Sequence, residues 1–224
     1  MTARISRSHY FVLGMLMLVM LSCGLLGAPQ PPVENEAAPG AEGILFQDDF
    51  SNPASGIWNV NQSDSIVREY VDGEFRAFVN NDEFSYSYPP ALTQQGFGDV
   101  RIEVDVRRVS GTDDASAYLL CRRAAERQYI FGDVDFEGEA RIGLVTGDLQ
   151  EILADEEGIA GLQEGVNHLR LDCMGNAISL YANGNLVASM EVDGPEQGAV
   201  GFASGGAGAG QTDFRFDNFI VYKP

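Results

Sequence analysis

The chain has 224 residues, with 33 acidic against 14 basic side chains, a net charge of −19 and one lysine, Lys223. A surface this acidic repels nucleic acid and anionic lipid headgroups, which excludes both as partners. Only two histidines are present, so chemistry built on an imidazole base has little to draw on.

The first element is the N-terminus. Met1 to Tyr10 carries Arg4 and Arg7 and no acid, Phe11 to Leu21 is almost wholly apolar, and Ser22-Cys23-Gly24 follows. A basic start, an apolar stretch and a small residue together make an export signal. The segment resembles a bacterial lipoprotein signal, with Met20-Leu21-Ser22-Cys23 as the lipobox and Met20 where the family usually has Leu. The resemblance implies a signal peptide over residues 1–22 and a lipidated N-terminus at Cys23, whose acyl chains (palmitate among them) hold the protein to the membrane of the cell envelope. Retention of Tyr10 to Ala28 as an anchor, or ordinary cleavage near Ala28, are the alternatives, and all three export the domain. Cleavage before Cys23 leaves 12 basic against 33 acidic residues, a net charge of −21. Residues 23–43 include Ala28-Pro29-Gln30-Pro31-Pro32, Glu34, Glu36, Pro39 and Gly40 without apolar periodicity. They read as a disordered, extended linker. Residues 44–224 then form one domain, of a size that all-β sandwiches use with a single core.

Along that domain short alternating strands are separated by Gly, Asn and Asp, with no long stretch at helical period, which predicts an all-β sandwich. Phe84, Tyr86 and Tyr88 share a phase before Pro89-Pro90. Val100, Ile102, Val104 and Val106 alternate with Arg101, Glu103, Asp105 and Arg107, so the valine face points inward and the charged face to water. A hairpin is expected from Tyr129-Ile130-Phe131 through Glu137-Gly138 to Ala140-Arg141-Ile142-Gly143-Leu144. Residues 151–165 are ambiguous between strand and helical turn. His168, Arg170 and Asp172 alternate with Leu169, Leu171 and Cys173. The clearest hairpin runs from Ile178 to Met190 around Asn183-Gly184, a pair that supplies the positive φ angles of a tight I′ turn. Gly201 to Gly210 reads as a flexible connection, since no strand-to-helix context makes it a phosphate loop. The last strand, Phe214 to Tyr222, slips phase at Asp217-Asn218, which predicts a β-bulge.

Cys121 and Cys173 both fall on inward phases, with Ala117 and Leu119 in one strand and Leu169 and Leu171 in the other. In an exported chain a disulfide is the expected state, with two buried thiols as the alternative. A zinc site is disfavoured because only His168 could join them and no Cys-x-x-Cys spacing occurs.

Phe46-Gln47-Asp48-Asp49-Phe50, Leu120-Cys121-Arg122, Tyr129-Ile130-Phe131, Asn167 to Cys173, Tyr181-Ala182-Asn183-Gly184, Gly198-Ala199-Val200-Gly201-Phe202 and Phe216-Asp217-Asn218-Phe219 fall in an order that resembles the concanavalin A-like lectin and glucanase jelly rolls. The likeness extends to the laminin G-like and 3-keto-disaccharide hydrolase-like domains of exported bacterial proteins. It covers residues 44–223 and implies a jelly-roll β-sandwich whose first and last strands lie side by side, bringing Asp48-Asp49 near Asp217-Asn218. Fold does not carry function with it.

The chemistry available to such a domain is limited. Laminarinase-like hydrolases of this fold carry Glu-x-Asp-x-x-Glu, whereas here Glu103-Val104-Asp105-Val106-Arg107-Arg108 puts a cation at the last position, so no catalytic residues are assigned. Glu103 and Asp105 read instead as a solvated face paired with Arg101 and Arg107. Asp48, Asp49, Asp217 and Asn218 are candidate ligands for a structural calcium, the one cofactor considered, against the alternative that Asp217 and Asn218 satisfy backbone donors at the bulge. Sugars are held by aromatic faces beside a few polar groups, and Trp58, Tyr86, Tyr88, Tyr118, Tyr129 and Tyr181 are the candidate platforms, with a core role as the alternative. The expected function is that of a glycan- or ligand-binding module. A glycosidase, or an adhesive module binding another envelope protein, are the other readings.

Overall fold

The computed structural model describes residues 43–81, 83–90, 96–160, 162–206, 208 and 210–224. Cys23, the signal segment and the linker up to residue 42 lie outside the described residues. Among those described there is no α-helix, and fifteen strands form two antiparallel sheets.

The larger sheet has nine strands. In spatial order they are β13 (Asn185–Glu191), β12 (Ala177–Ala182), β11 (Asn167–Met174), β6 (Val100–Ser110), β15 (Gln211–Tyr222), β4 (Glu74–Asn80), β3 (Ile66–Val71) and β2 (Asn61–Gln62), with β1 (Ile44–Asp48) also paired to β15. The first and last strands are thus neighbours, Asp48 opposite Phe219. The smaller sheet runs β10 (Leu149–Glu157), β9 (Glu139–Thr146), β8 (Gln128–Val134), β7 (Ser116–Ala125), β14 (Ala199–Gly205) and β5 (Phe84–Ser87). Strand β10 thus takes in the first part of the ambiguous patch, up to Glu157, and the described residues after it are not helical.

Alternation places the core between the sheets. Val100, Ile102, Val104, Val106, Leu169 and Leu171 face inward from the larger sheet and meet Ala117, Leu119, Ile130, Ile142 and Phe202 from the smaller one. One end of this core is aromatic. Trp58 lies 4.9 Å from Phe202, 5.1 Å from Phe219 and 5.3 Å from Phe50 between ring centroids, and Phe202 stacks on Phe216 at 4.1 Å.

The tight turn and the bulge take the expected geometry. Asn183 and Gly184 have φ of 50° and 81°, and β12 pairs with β13 from Ala182 opposite Asn185. The register of β15 on β6 shifts between Asp217 and Ile220, with Asn218 at φ 51°. This extra residue restores the phase, so that Phe214, Phe216, Phe219 and Val221 are all fully buried.

The glycine-rich segment differs from expectation, because Gly201 to Gly205 belong to β14. A Cβ at Gly201 would stand 2.3 Å from the Ser87 carbonyl oxygen, so the glycine is needed for the close approach of β5. Arg101 also departs from the solvated face expected of it. It is buried and paired with Asp172 at 3.0 Å.

Cys121 on β7 and Cys173 on β11 form a disulfide that ties one sheet to the other across 52 residues of chain. Closing a loop of that length stabilises the fold by about 4 kcal/mol in the chain-entropy model. Replacing both cysteines by alanine should lower the denaturant-unfolding free energy by roughly that amount, about 10 °C in melting temperature. An unchanged midpoint would show that the cross-link adds nothing.

Candidate functional site

The two sheets differ on their outer faces. The larger sheet presents charge, as in Arg107 with Glu74, Arg76 with Glu69 and Asp213, and Arg170 with Asp172. The smaller sheet is apolar on both faces. Its outward residues Tyr118, Leu120, Tyr129, Phe131, Val145 and Ala203 form a second buried cluster, with Phe84 and Tyr86 packed against it.

Small residues let this layer lie flat. A Cβ on Gly143 would strike the Phe131 ring at 2.3 Å, so the ring rests over bare backbone. Ala203 of β14 stands between Tyr86 and Tyr118 in register. Around it Phe84 meets Tyr118 edge-on at 5.5 Å, Tyr86 meets Tyr129 at 5.9 Å, and the Tyr129 hydroxyl donates to that of Tyr86 at 3.1 Å. Burial, then the Tyr129 hydroxyl, pushes Tyr86 ionisation far up, so the Tyr86 phenol stays neutral and keeps its hydroxyl as a hydrogen-bonding group.

Beside this layer opens a groove of about 600 Å³, lined by Phe84, Tyr86, Tyr88 and Tyr129 together with Asn59, Arg68, Arg123, Glu126, Arg127, Asp148 and Gln150. Asn59 fixes its floor. Its Nδ2 donates to the Tyr86 carbonyl at 3.1 Å, and its Oδ1 accepts from the Tyr88 amide at 3.0 Å, as a neighbouring strand would. Tyr88 is further held under the Arg123 guanidinium, 4.3 Å from the ring centre.

Four of the six aromatic candidates, Tyr86, Tyr88, Tyr118 and Tyr129, thus meet on or beside one face. The other two stand elsewhere. Trp58 is only 3% exposed and belongs to the core, where its Nε1 donates to Asp48 at 2.8 Å. Tyr181 lies on the opposite sheet beneath the Arg170 guanidinium. Sequence reasoning passed over Arg68 and Arg123. The available signal for Arg68 was a cation in the inward phase of Ile66, Arg68 and Tyr70, since these pair with Val79, Ala77 and Phe75.

At the other end of the apolar face Asp133 is buried and paired with Arg141 at 2.7 Å, and Arg141 also reaches Ser116. Burial pushes the Asp133 carboxyl up to about 6, against the pull of Arg141.

Asp48, Asp49 and Asn218 do come together around a shallow pocket, but their groups are engaged locally. Asp48 accepts from the Phe50 amide and Trp58, Asp49 from the Ser51 amide and hydroxyl, and Asp217 from the Asn218 amide, while Asn218 donates to Asp105. Among the described residues no cluster of three His, Cys, Asp or Glu could hold a metal ion. Glu103 and Asp105 lie on the charged sheet, away from the groove. Their partners are not those expected: His168 stands 2.9 Å from Asp105 and 3.7 Å from Glu103, whereas Arg107 pairs with Glu74. His168 is exposed, as its phase predicted. Arg108, in place of a second glutamate, is tied to Asp113 and covers the Phe136 ring.

No protein-family model matches the sequence, and no curated protein matches it. Solved structures do. The chain is similar to the carbohydrate-binding module CBM66 from Bacillus subtilis, with 15% identity over 74% of this chain and 95% of that one, at a TM-score of 0.59. It is similar to a Bacillus licheniformis beta-glucanase at 13% identity, 80% and 98% coverage and a TM-score of 0.59. The carbohydrate recognition domain of Emp47p gives 13%, 83%, 99% and 0.58 in the same order. At such identities these likenesses establish the fold. The chain has a concanavalin A-like jelly-roll β-sandwich fold.

Trp58→Ala should cost about 3–5 kcal/mol of stability, as a large side chain removed from a closed core, measured by denaturant unfolding; a cost below 1 kcal/mol would refute the core assignment. The pH dependence of Asp133 has a definite sign. Its folded value of about 6 exceeds the unfolded value of about 3.9, so the folded state holds the extra proton between those limits, and stability falls as pH rises through that window. Wild type should therefore lose on the order of 2 kcal/mol relative to Asp133→Asn between pH 4 and 6.5. A relative gain would reverse the assignment.

Proposed function

We propose that the protein is an exported lipoprotein, anchored in the cell envelope through Cys23, whose β-sandwich binds a glycan in the groove on the outer face of its smaller sheet. The observation that carries this reading is the convergence of Tyr86, Tyr88 and Tyr129 with Asn59 and Gln150 in one groove. Sugars offer apolar C–H faces and rims of hydroxyls, which call for aromatic faces beside amides and carboxylates. The carbohydrate-binding module and the carbohydrate recognition domain among the similar folds support the same reading. A non-catalytic role is supported by the placement of Glu103 and Asp105 on the opposite sheet and by Arg108 in the position of an acid. The membrane role rests on the N-terminal sequence, where the apolar stretch ends at a small residue and a cysteine.

Tyr86→Leu keeps the apolar volume of the layer while removing the ring face and the hydroxyl. In a panel of neutral and acidic oligosaccharides the full-length chain should bind at least one saturably, and Tyr86→Leu should weaken that binding about tenfold, roughly 1.4 kcal/mol, with a shift of a few degrees at most in melting temperature. Binding that survives the substitution unchanged would remove the groove from the account. Release of reducing ends from any member of the panel would favour the glycosidase reading.

A further inference from the structure

Among the described residues the ion pairing of the arginines is nearly complete. Of thirteen arginines, Arg4 and Arg7 fall outside the described residues. Nine of the remaining eleven pair with a carboxylate: Arg76, Arg101, Arg107, Arg108, Arg122, Arg127, Arg141, Arg170 and Arg215. The two without a carboxylate among the described residues, Arg68 and Arg123, line the same groove. With 33 acids against 14 bases in the chain, a guanidinium left without an anion is unexpected at even one position.

Both are built in. Arg68 sits in an inward-facing position of β3, opposite Ala77, and reaches across the mouth of the sandwich to donate from Nη1 to the Tyr86 carbonyl. Its Nε is buried and has no hydrogen-bond partner. A half-buried cation satisfied by one neutral carbonyl carries a desolvation cost that a bound anion would offset. Burial accordingly depresses its proton affinity.

Arg123 is aimed into the groove by a bulge. The register of β7 shifts on both sides, between Cys121 and Ala125 against β8 and between Ala199 and Gly201 against β14, and Arg122 takes φ 51°. Gly198 makes room for this, since a Cβ there would lie 2.4 Å from the Arg123 carbonyl carbon. Arg122 is tied down by Asp99 at 3.1 Å, while Arg123 lies over the Tyr88 ring. The other charged lining groups do not neutralise the pair. Arg127 is engaged by Asp148 at the exposed rim, and Glu126 forms no ion pair with either arginine.

We propose that the groove selects an anionic saccharide, with Arg68 and Arg123 receiving an oxyanion substituent, the carboxylate of a uronic acid or a sulfate ester, while the tyrosines hold the ring that carries it. Guanidinium forks fit both groups, and stacked arginines keep their donors oriented. This inference rests on the reading of the groove as a glycan site. It adds that the anion, absent from neutral sugars, is what that site recognises.

The test is calorimetric titration of the full-length chain with trigalacturonate, with its carboxyl-reduced neutral counterpart, and with a sulfated galactose trisaccharide. At least one acidic form should bind ten times more tightly or better than the neutral one, and the better of the two identifies the substituent. Arg123→Gln should bring the ratio of acidic to neutral affinity close to one. Arg68→Gln should do the same, and thermal unfolding of each variant reports whether the fold survives. Equal affinity for acidic and neutral forms, or a ratio that Arg123→Gln leaves intact in a folded protein, overturns the inference while leaving a neutral glycan site standing. Binding of none of the three, with saturable binding of some other neutral oligosaccharide, also overturns it. Failure of every oligosaccharide removes the glycan reading as well.

Discussion

The smaller sheet carries apolar side chains on both faces, and the larger sheet can cover only one of them. This constraint orders most of the molecule. The covered face supplies Leu119, Ile130, Ile142 and Phe202 to the core, while the other face carries Tyr118, Leu120, Tyr129 and Phe131 outside it. A solvated sheet face normally alternates to polar residues. Here the glycine and alanine positions of β9 and β14 let the rings pack against backbone and against one another, which keeps them from water and leaves the groove edged by those with polar tips.

The same constraint separates the two surfaces of the sandwich by chemistry. The larger sheet is laced with arginine–carboxylate pairs, most of them partly buried, as in Arg76 with Asp213, Arg101 with Asp172 and Arg215 with Asp213. Their effect is to consume cations. Against that background the half-buried Arg68 and the bulge-borne Arg123 are conspicuous for lacking a counter-ion among the described residues, and they stand beside the aromatic layer. Aromatic faces and guanidinium groups that pair with no carboxylate among the described residues are the combination that distinguishes this groove from the pocket around Asp48 and Asp49, where each carboxylate already accepts a local donor.

The strand pattern was legible because β residues repeat every two positions, so Val100 to Val106 and Leu169 to Cys173 disclosed their inward faces directly. The Asn183-Gly184 turn, the bulge at Asp217-Asn218 and the pairing of Cys121 with Cys173 were readable for similarly local reasons. What period two cannot reveal is which of two apolar faces is the core. Tyr86 and Tyr118 therefore looked no different from Trp58, although the structure buries Trp58 between the sheets and sets the tyrosines outside them. Gly201 was misread because its need for space comes from Ser87, distant in sequence. Pairings between strands also lay beyond the pattern: Arg107 finds Glu74 and His168 finds Asp105 only once β15 and β11 are in place.

The central claim is that the groove beside the outer aromatic layer of the smaller sheet is the binding surface. Amide chemical-shift mapping during titration with a bound oligosaccharide tests it most directly. The account predicts perturbations concentrated in β5, β8 and the turns flanking Arg123 and Asp148, with the strands bearing Glu103, Asp105 and His168 unaffected. Perturbations confined to that charged sheet would contradict it.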